Sequence, residues 1–115
     1  MRSITDFVKR LLRWGEPAGE PLDLTVPDQY VLRALFLAED LTVQELVEVI
    51  RAEAPTIARL ELLNALEKLV HAGLVARQAR TTPEGEDRYR ATPRAQRLRG
   101  VIPTRPTVPM NVYIY

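Results

Sequence analysis

Apolar residues return every three to four positions through most of this chain, which is the spacing of helices that bury one side. Residues 4–14 set Ile4, Phe7, Val8, Leu11, Leu12 and Trp14 against Thr5, Asp6, Lys9, Arg10 and Arg13. Ser3 suits the start of such a helix and Gly15 its end. Residues 15–27 hold Pro17, Pro21 and Pro27 with acids between them and predict an extended linker. The helical period resumes over 27–38, where Tyr30, Val31, Leu32, Ala34, Leu35, Leu37 and Ala38 form a wide apolar face behind Pro27. Glu39 and Asp40 end it, and Leu41 fits a short strand or bridge. Thr42 and Glu45 form a Thr-x-x-Glu capping box for a helix to about residue 52, with Leu46, Val47, Val49 and Ile50 facing the core.

After a turn at 53–55, Thr56 is expected to cap the next helix. Its buried stripe is Leu62, Leu63, Leu66, Leu69 and Val70, while Arg59, Glu61, Asn64, Ala65, Lys68 and His71 fall on the outer arc. Gly73 is placed to stop it in the left-handed conformation. The period then drops to two. Residues 74–80 and 88–92 predict a hairpin around a turn-rich loop of about seven residues. Thr92 and Pro93 open a last short helix through Arg99, closed by Gly100. In the remaining residues, 101–115, Pro103, Pro106 and Pro109 alternate with β-branched and tyrosine residues, an extended pattern. The expected fold is α+β and mainly helical. It divides into an amphipathic helix with a Pro/Gly linker (1–26), a central domain (27–100) and an extended tail (101–115).

The formal net charge of +1 hides a separation along the chain. Residues 15–70 are acidic, opposed only by Arg33, Arg51, Arg59 and Lys68. From residue 71 onward Arg77, Arg80, Arg88, Arg90, Arg94, Arg97, Arg99 and Arg105 outnumber Glu84, Glu86 and Asp87. Such a dipolar body would turn its arginine-rich ribbon toward a polyanion. The alternative is that arginine serves only as a solubilising cation.

Chemistry other than binding has little to work with. The absence of cysteine removes disulfides and thiolate metal sites, and one histidine, His71, cannot build a metal site. No phosphate-binding glycine loop, nucleophile and base pair or metal-ligand spacing appears, so neither an enzyme nor a cofactor is expected. No stretch approaches the roughly 20 apolar residues that span a bilayer, and no signal-peptide core is present. A cytoplasmic protein is expected, with no membrane partner.

The order of capped helix, turn, helix ending in Ala-Gly-Leu-Val, hairpin and Tyr-Arg-Ala-Thr-Pro resembles the winged helix-turn-helix domain of bacterial regulators such as the PadR and MarR groups. Leu66, Leu69, Gly73, Leu74, Val75 and the run from Arg88 to Pro93 carry the likeness, which covers residues 27–100. It implies that the helix after Thr56 enters the major groove of double-stranded DNA and that the hairpin, or wing, lies on phosphates or in the minor groove. By position, Arg59, Asn64 and Lys68 would face the groove, Arg59 suited to guanine and Asn64 to adenine. Arg77, Arg80, Arg88 and Arg90 would meet phosphates or the minor groove, with Arg88 and Arg90 on one face of the wing.

Some residues depart from that pattern. Glu61 and Glu67 put negative charge on the recognition helix, and an outward Leu62 would suit a protein contact better than a groove. No long helix follows the wing, so a homodimer would rest on the 4–14 helix. Its stripe, including Phe7, Leu11 and Trp14, either closes the chain's own core, meets a twin or lies on a membrane surface, the last being weakly signalled. Val112, Tyr113, Ile114 and Tyr115 suit a sheet edge or a groove on a protein partner. Two readings follow: a dimeric DNA-binding transcriptional regulator, or a winged helix serving protein assembly through its acidic second helix, Leu62 and the tail.

Overall fold

A computed structural model describes residues 20–114. Along the chain run β1 (Glu20–Leu24), α1 (Val26–Leu37), β2 (Leu41–Thr42), α2 (Val43–Glu53), α3 (Arg59–His71), β3 (Val75–Gln78), β4 (Arg88–Ala91), α4 (Pro93–Gln96) and β5 (Met110–Ile114). The helix expected over residues 4–14, with Phe7, Leu11 and Trp14, lies outside the described residues, as does Tyr115.

Side chains returning to the backbone set the helix starts. Thr42 Oγ1 accepts from the Glu45 N–H at 3.2 Å while Glu45 Oε1 accepts from the Thr42 N–H at 2.9 Å, so two of the helix's free donors are satisfied reciprocally. Thr25 and Asp28 do the same for α1, a box that was not picked out from the sequence. At α3 the expectation fails. Thr56 lies in the turn and Ala58 is the N-cap, with no hydroxyl to offer. Glu61 supplies the only return bond there, accepting from the Ala58 N–H at 3.1 Å. Its carboxylate also sits where the helix dipole is positive, which gives this acid a structural task. At the other end Gly73 takes φ 77°, the only positive φ among the described residues, and the chain turns into β3.

The helices α1, α2 and α3 pack around Leu32, Leu35, Leu46, Ile50, Leu62, Leu66 and Leu69, all buried. Leu62 therefore points into the core, only 1 % exposed. Ala65, expected on the outer arc, is buried beside it. The antiparallel sheet β2-β4-β3 closes this core, with Leu41 opposite Tyr89 and Val75 opposite Ala91. This is a winged helix-turn-helix: α2 and α3 form the helix pair, and β3, residues 79–87 and β4 form the wing.

Residues read from sequence as linker and tail make a second sheet. β1 pairs antiparallel with β5, from Glu20 opposite Ile114 to Leu24 opposite Met110. Leu24, Val112 and Ile114 are buried and join the main cluster with Ile102. The boundaries drawn at residues 26 and 101 thus place outside the domain two strands that share its core. Pro21 fits because a two-stranded ribbon consists only of edges.

Candidate nucleic-acid interface

With about 3.6 residues per turn, the buried row of α3 leaves Leu60, Asn64, Glu67 and His71 at the middle of the exposed arc. Arg59 and Leu63 flank it on one side, Glu61 and Lys68 on the other. Leu60 is 65 % exposed. It was absent from the residues picked out by sequence, although the same helical wheel that isolates Asn64 also isolates Leu60. An outward leucine here is suited to a thymine methyl in the major groove.

The first turn of α2 connects this helix to the wing. Arg59 Nη1 donates to Gln44 Oε1 at 3.3 Å, and Gln44 Nε2 donates in turn to Glu48 at 2.9 Å. The neighbouring residue, Glu45, lies 3.9 Å from Arg88 Nη2, which also donates to the Asp40 carbonyl at 3.2 Å. Adjacent positions of α2 thus touch the start of α3 and the start of β4. Arg59, Arg88 and the α2 N-terminus share one corner of the molecule.

Ladder register sorts the wing arginines. Gln78 lies opposite Arg88 and Ala76 opposite Arg90, while Arg77 lies opposite the buried Tyr89. Arg88 and Arg90 therefore share a face, as the alternation predicts, and Arg77 belongs to the other face. Arg90 Nε meets Asp40 Oδ1 at 3.3 Å, and Arg77 Nε meets Asp87 Oδ2 at 3.4 Å. The Arg80 backbone N–H donates to Asp87 Oδ1 at 3.0 Å, which ties the base of the loop, and the Arg80 side chain is exposed. The wing is thus an array of half-exposed ion pairs. The Glu45 carboxyl is held below its ordinary range, chiefly by the Thr42 N–H it accepts from, then by the Thr42 hydroxyl, with a smaller part from Arg88.

Two groups of expected site residues sit elsewhere. Lys68 turns away from the outer arc, and its ammonium meets Asp28 Oδ2 at 2.7 Å. A carboxylate only 2 % exposed needs a partner, and a long lysine stem at the edge of the exposed arc reaches it. In the tail, Val112 and Ile114 are spent on the chain's own core and are unavailable to a partner, whereas Tyr113 between them is exposed, at 56 %. Among the described residues no group of His, Cys, Asp and Glu could hold a metal ion, and no helix is long and apolar enough to cross a membrane.

No family model matches the sequence, and no curated protein is similar to it in sequence. Solved structures are similar in fold. SSV1 F-93 superposes with a TM-score of 0.58 at 21 % identity, covering 73 % of this chain and 87 % of that one. A MarR-family transcriptional regulator from Silicibacter pomeroyi gives 0.55 at 18 % identity, over 85 % of this chain and 57 % of its own length. The zinc-responsive MarR-family member ZitR of Lactococcus lactis gives 0.56 at 17 % identity, over 83 % of this chain and 67 % of that one. The chain thus spans little more than half the length of the Silicibacter regulator. At these identities the likeness shows the fold, a winged helix of the kind MarR-family regulators have.

Proposed function

We propose that the protein is a DNA-binding transcriptional regulator that inserts α3 into the major groove and lays its wing along the flanking backbone. The observation that carries this reading is the shared corner. Gln44 and Glu45, adjacent on α2, contact Arg59 and Arg88 respectively, so one duplex could meet the recognition helix and the wing together. Arg59, Leu60 and Asn64 would read base edges. Arg80, Arg88 and Arg90 would meet phosphates or the minor groove, with Arg77 as a contributor from the opposite face.

The ion pairs favour such a use. An exposed pair contributes about 0–1 kcal/mol, whereas a charge-assisted bond to a phosphate contributes about 1.5–3 kcal/mol. Exchange of Asp40, Glu45 or Asp87 for a phosphate is therefore downhill, and the acids keep the arginines oriented beforehand. The buried Leu62, Val112 and Ile114 remove much of the surface on which an assembly module would depend.

We also propose that the protein acts as a homodimer in the cytoplasm, since regulators that bind two half-sites gain affinity and register from two-fold symmetry. The test is titration of a random-sequence duplex at rising salt, with light scattering for mass. Binding at low salt that weakens steeply as salt rises is expected. No binding at any salt would reject the regulator reading.

A further inference from the structure

Lys68 is the one expected groove residue whose charge the fold uses internally, and what it holds together is not local. Its ammonium pairs with Asp28 Oδ2 at 2.7 Å and also donates to the backbone carbonyl of Asp23. Asp28 is the residue that closes the α1 capping box, with Oδ2 accepting from the Thr25 N–H at 2.8 Å. Asp23 belongs to β1, and its strand partner is Asn111 of β5. The next residue of α1, Gln29, is fully buried and donates from Nε2 to the carbonyls of Leu24 at 3.1 Å and Val108 at 2.8 Å. Asp28 and Gln29 therefore clasp the terminal ribbon to the helical body, and Lys68 extends that clasp to α3.

We infer that Lys68 is a positioning residue that fixes the angle of the recognition helix against α1 and the terminal ribbon, and that it makes no phosphate contact. This inference rests on the regulator reading. Asn64 lies one turn before Lys68 on the same side of α3, and the two flank a depression with Thr25, Pro27, Asp28 and Glu61. A shift of the lysine moves the base-reading turn with it. The ribbon is seated by Leu24, Val112 and Ile114, so β1 and β5, though carrying no residue proposed to touch DNA, become part of the DNA-binding apparatus.

Two substitutions separate positioning from contact. D28N breaks the ion pair and frees the lysine. If Lys68 positions the helix, D28N weakens duplex binding by about tenfold, within the usual range of couplings between sites, and leaves the salt slope unchanged. If Lys68 is a phosphate contact, D28N leaves binding unchanged or tightens it, and the inference is overturned. K68M gives the complementary result: weaker binding at unchanged slope supports positioning, whereas a slope smaller by about 0.9 marks a lost phosphate contact and overturns it.

Both variants are assayed well below their melting temperatures. A lowered melting temperature with unaltered affinity would reduce Lys68 to a stabilising residue and also overturn the inference. Hydrogen exchange reads the clasp without DNA: D28N should speed exchange in both 20–24 and 59–71. Failure of the unsubstituted protein to bind any duplex would reject the regulator reading, while unchanged exchange in those two segments would reject the clasp.

Discussion

Removal of Arg88 and Arg90 together tests whether the register of the wing decides which arginines face a duplex. Both side chains are about half exposed and share the outer face of β4, and both are held near Asp40. Each would exchange an ion pair of about 0–1 kcal/mol for a phosphate contact of about 1.5–3 kcal/mol. The net gain is roughly 1 kcal/mol per arginine. R88A/R90A should therefore bind about 30-fold more weakly at low salt, the equivalent of about 2 kcal/mol.

Two lost phosphate contacts should also flatten the salt slope by about 1.8, so the difference from wild type shrinks by roughly tenfold between about 50 and 200 mM salt. Arg77 provides the internal control, because it lies on the opposite face and is paired with Asp87. R77A should change the slope by less than half of what one outer-face arginine does. Fluorescence anisotropy of a labelled random duplex measures all three proteins. An R77A slope change equal to half that of the double variant would refute the assignment of faces, and an unchanged slope in R88A/R90A would refute the wing's role.

Other consequences concern stability. G73A forces an L side chain into φ 77° and places its Cβ 3.2 Å from Arg94 Nη1; a loss of about 1–2 kcal/mol by chemical denaturation is expected. V112A should cost about 1–2 kcal/mol because Val112 is buried in the main cluster, whereas Y113A, at an exposed neighbouring position, should stay within about 0.5 kcal/mol; equal effects would show that the ribbon does not seat as described. Glu45 has a depressed carboxyl pKa when folded, so the stability it contributes is fully present above the ordinary glutamate value near 4.5 and is lost as pH falls through the lower, folded value. Thermal melts of wild type and E45Q should therefore converge as the pH is taken from 7 to below that range.

Much of the central fold was readable because its signals are local. The Thr42–Glu45 box, the leucine row of α3, Gly73 and the alternation through Arg88–Ala91 each depend on residues within a few positions of one another. β1 was not readable. Glu20-Pro-Leu-Asp-Leu carries proline and acids like a linker, and only its pairing with residues at the far end of the chain makes it a strand. The candidate site divides in the same way. The arginines are visible by type, but their partners Asp40, Glu45 and Asp87 come from other elements or from across the hairpin. Lys68 sits at the edge of the exposed arc, where the wheel alone leaves a long side chain free to go either way. The charge of Asp28, 40 positions earlier in sequence, decides it.

Pairing β1 with β5 joins the earliest and latest described elements, so this ribbon closes the longest loop among the described residues. Closing so long a loop costs more chain entropy than any contact within the helical body, and non-local pairings of this kind form late. On the ribosome, α1, α2, α3 and the wing can assemble while β1 still waits for a strand not yet synthesised. The hydrogen bond from Lys68 to the Asp23 carbonyl is then expected to follow the pairing of β1 with β5, after α1, α2 and α3 have packed.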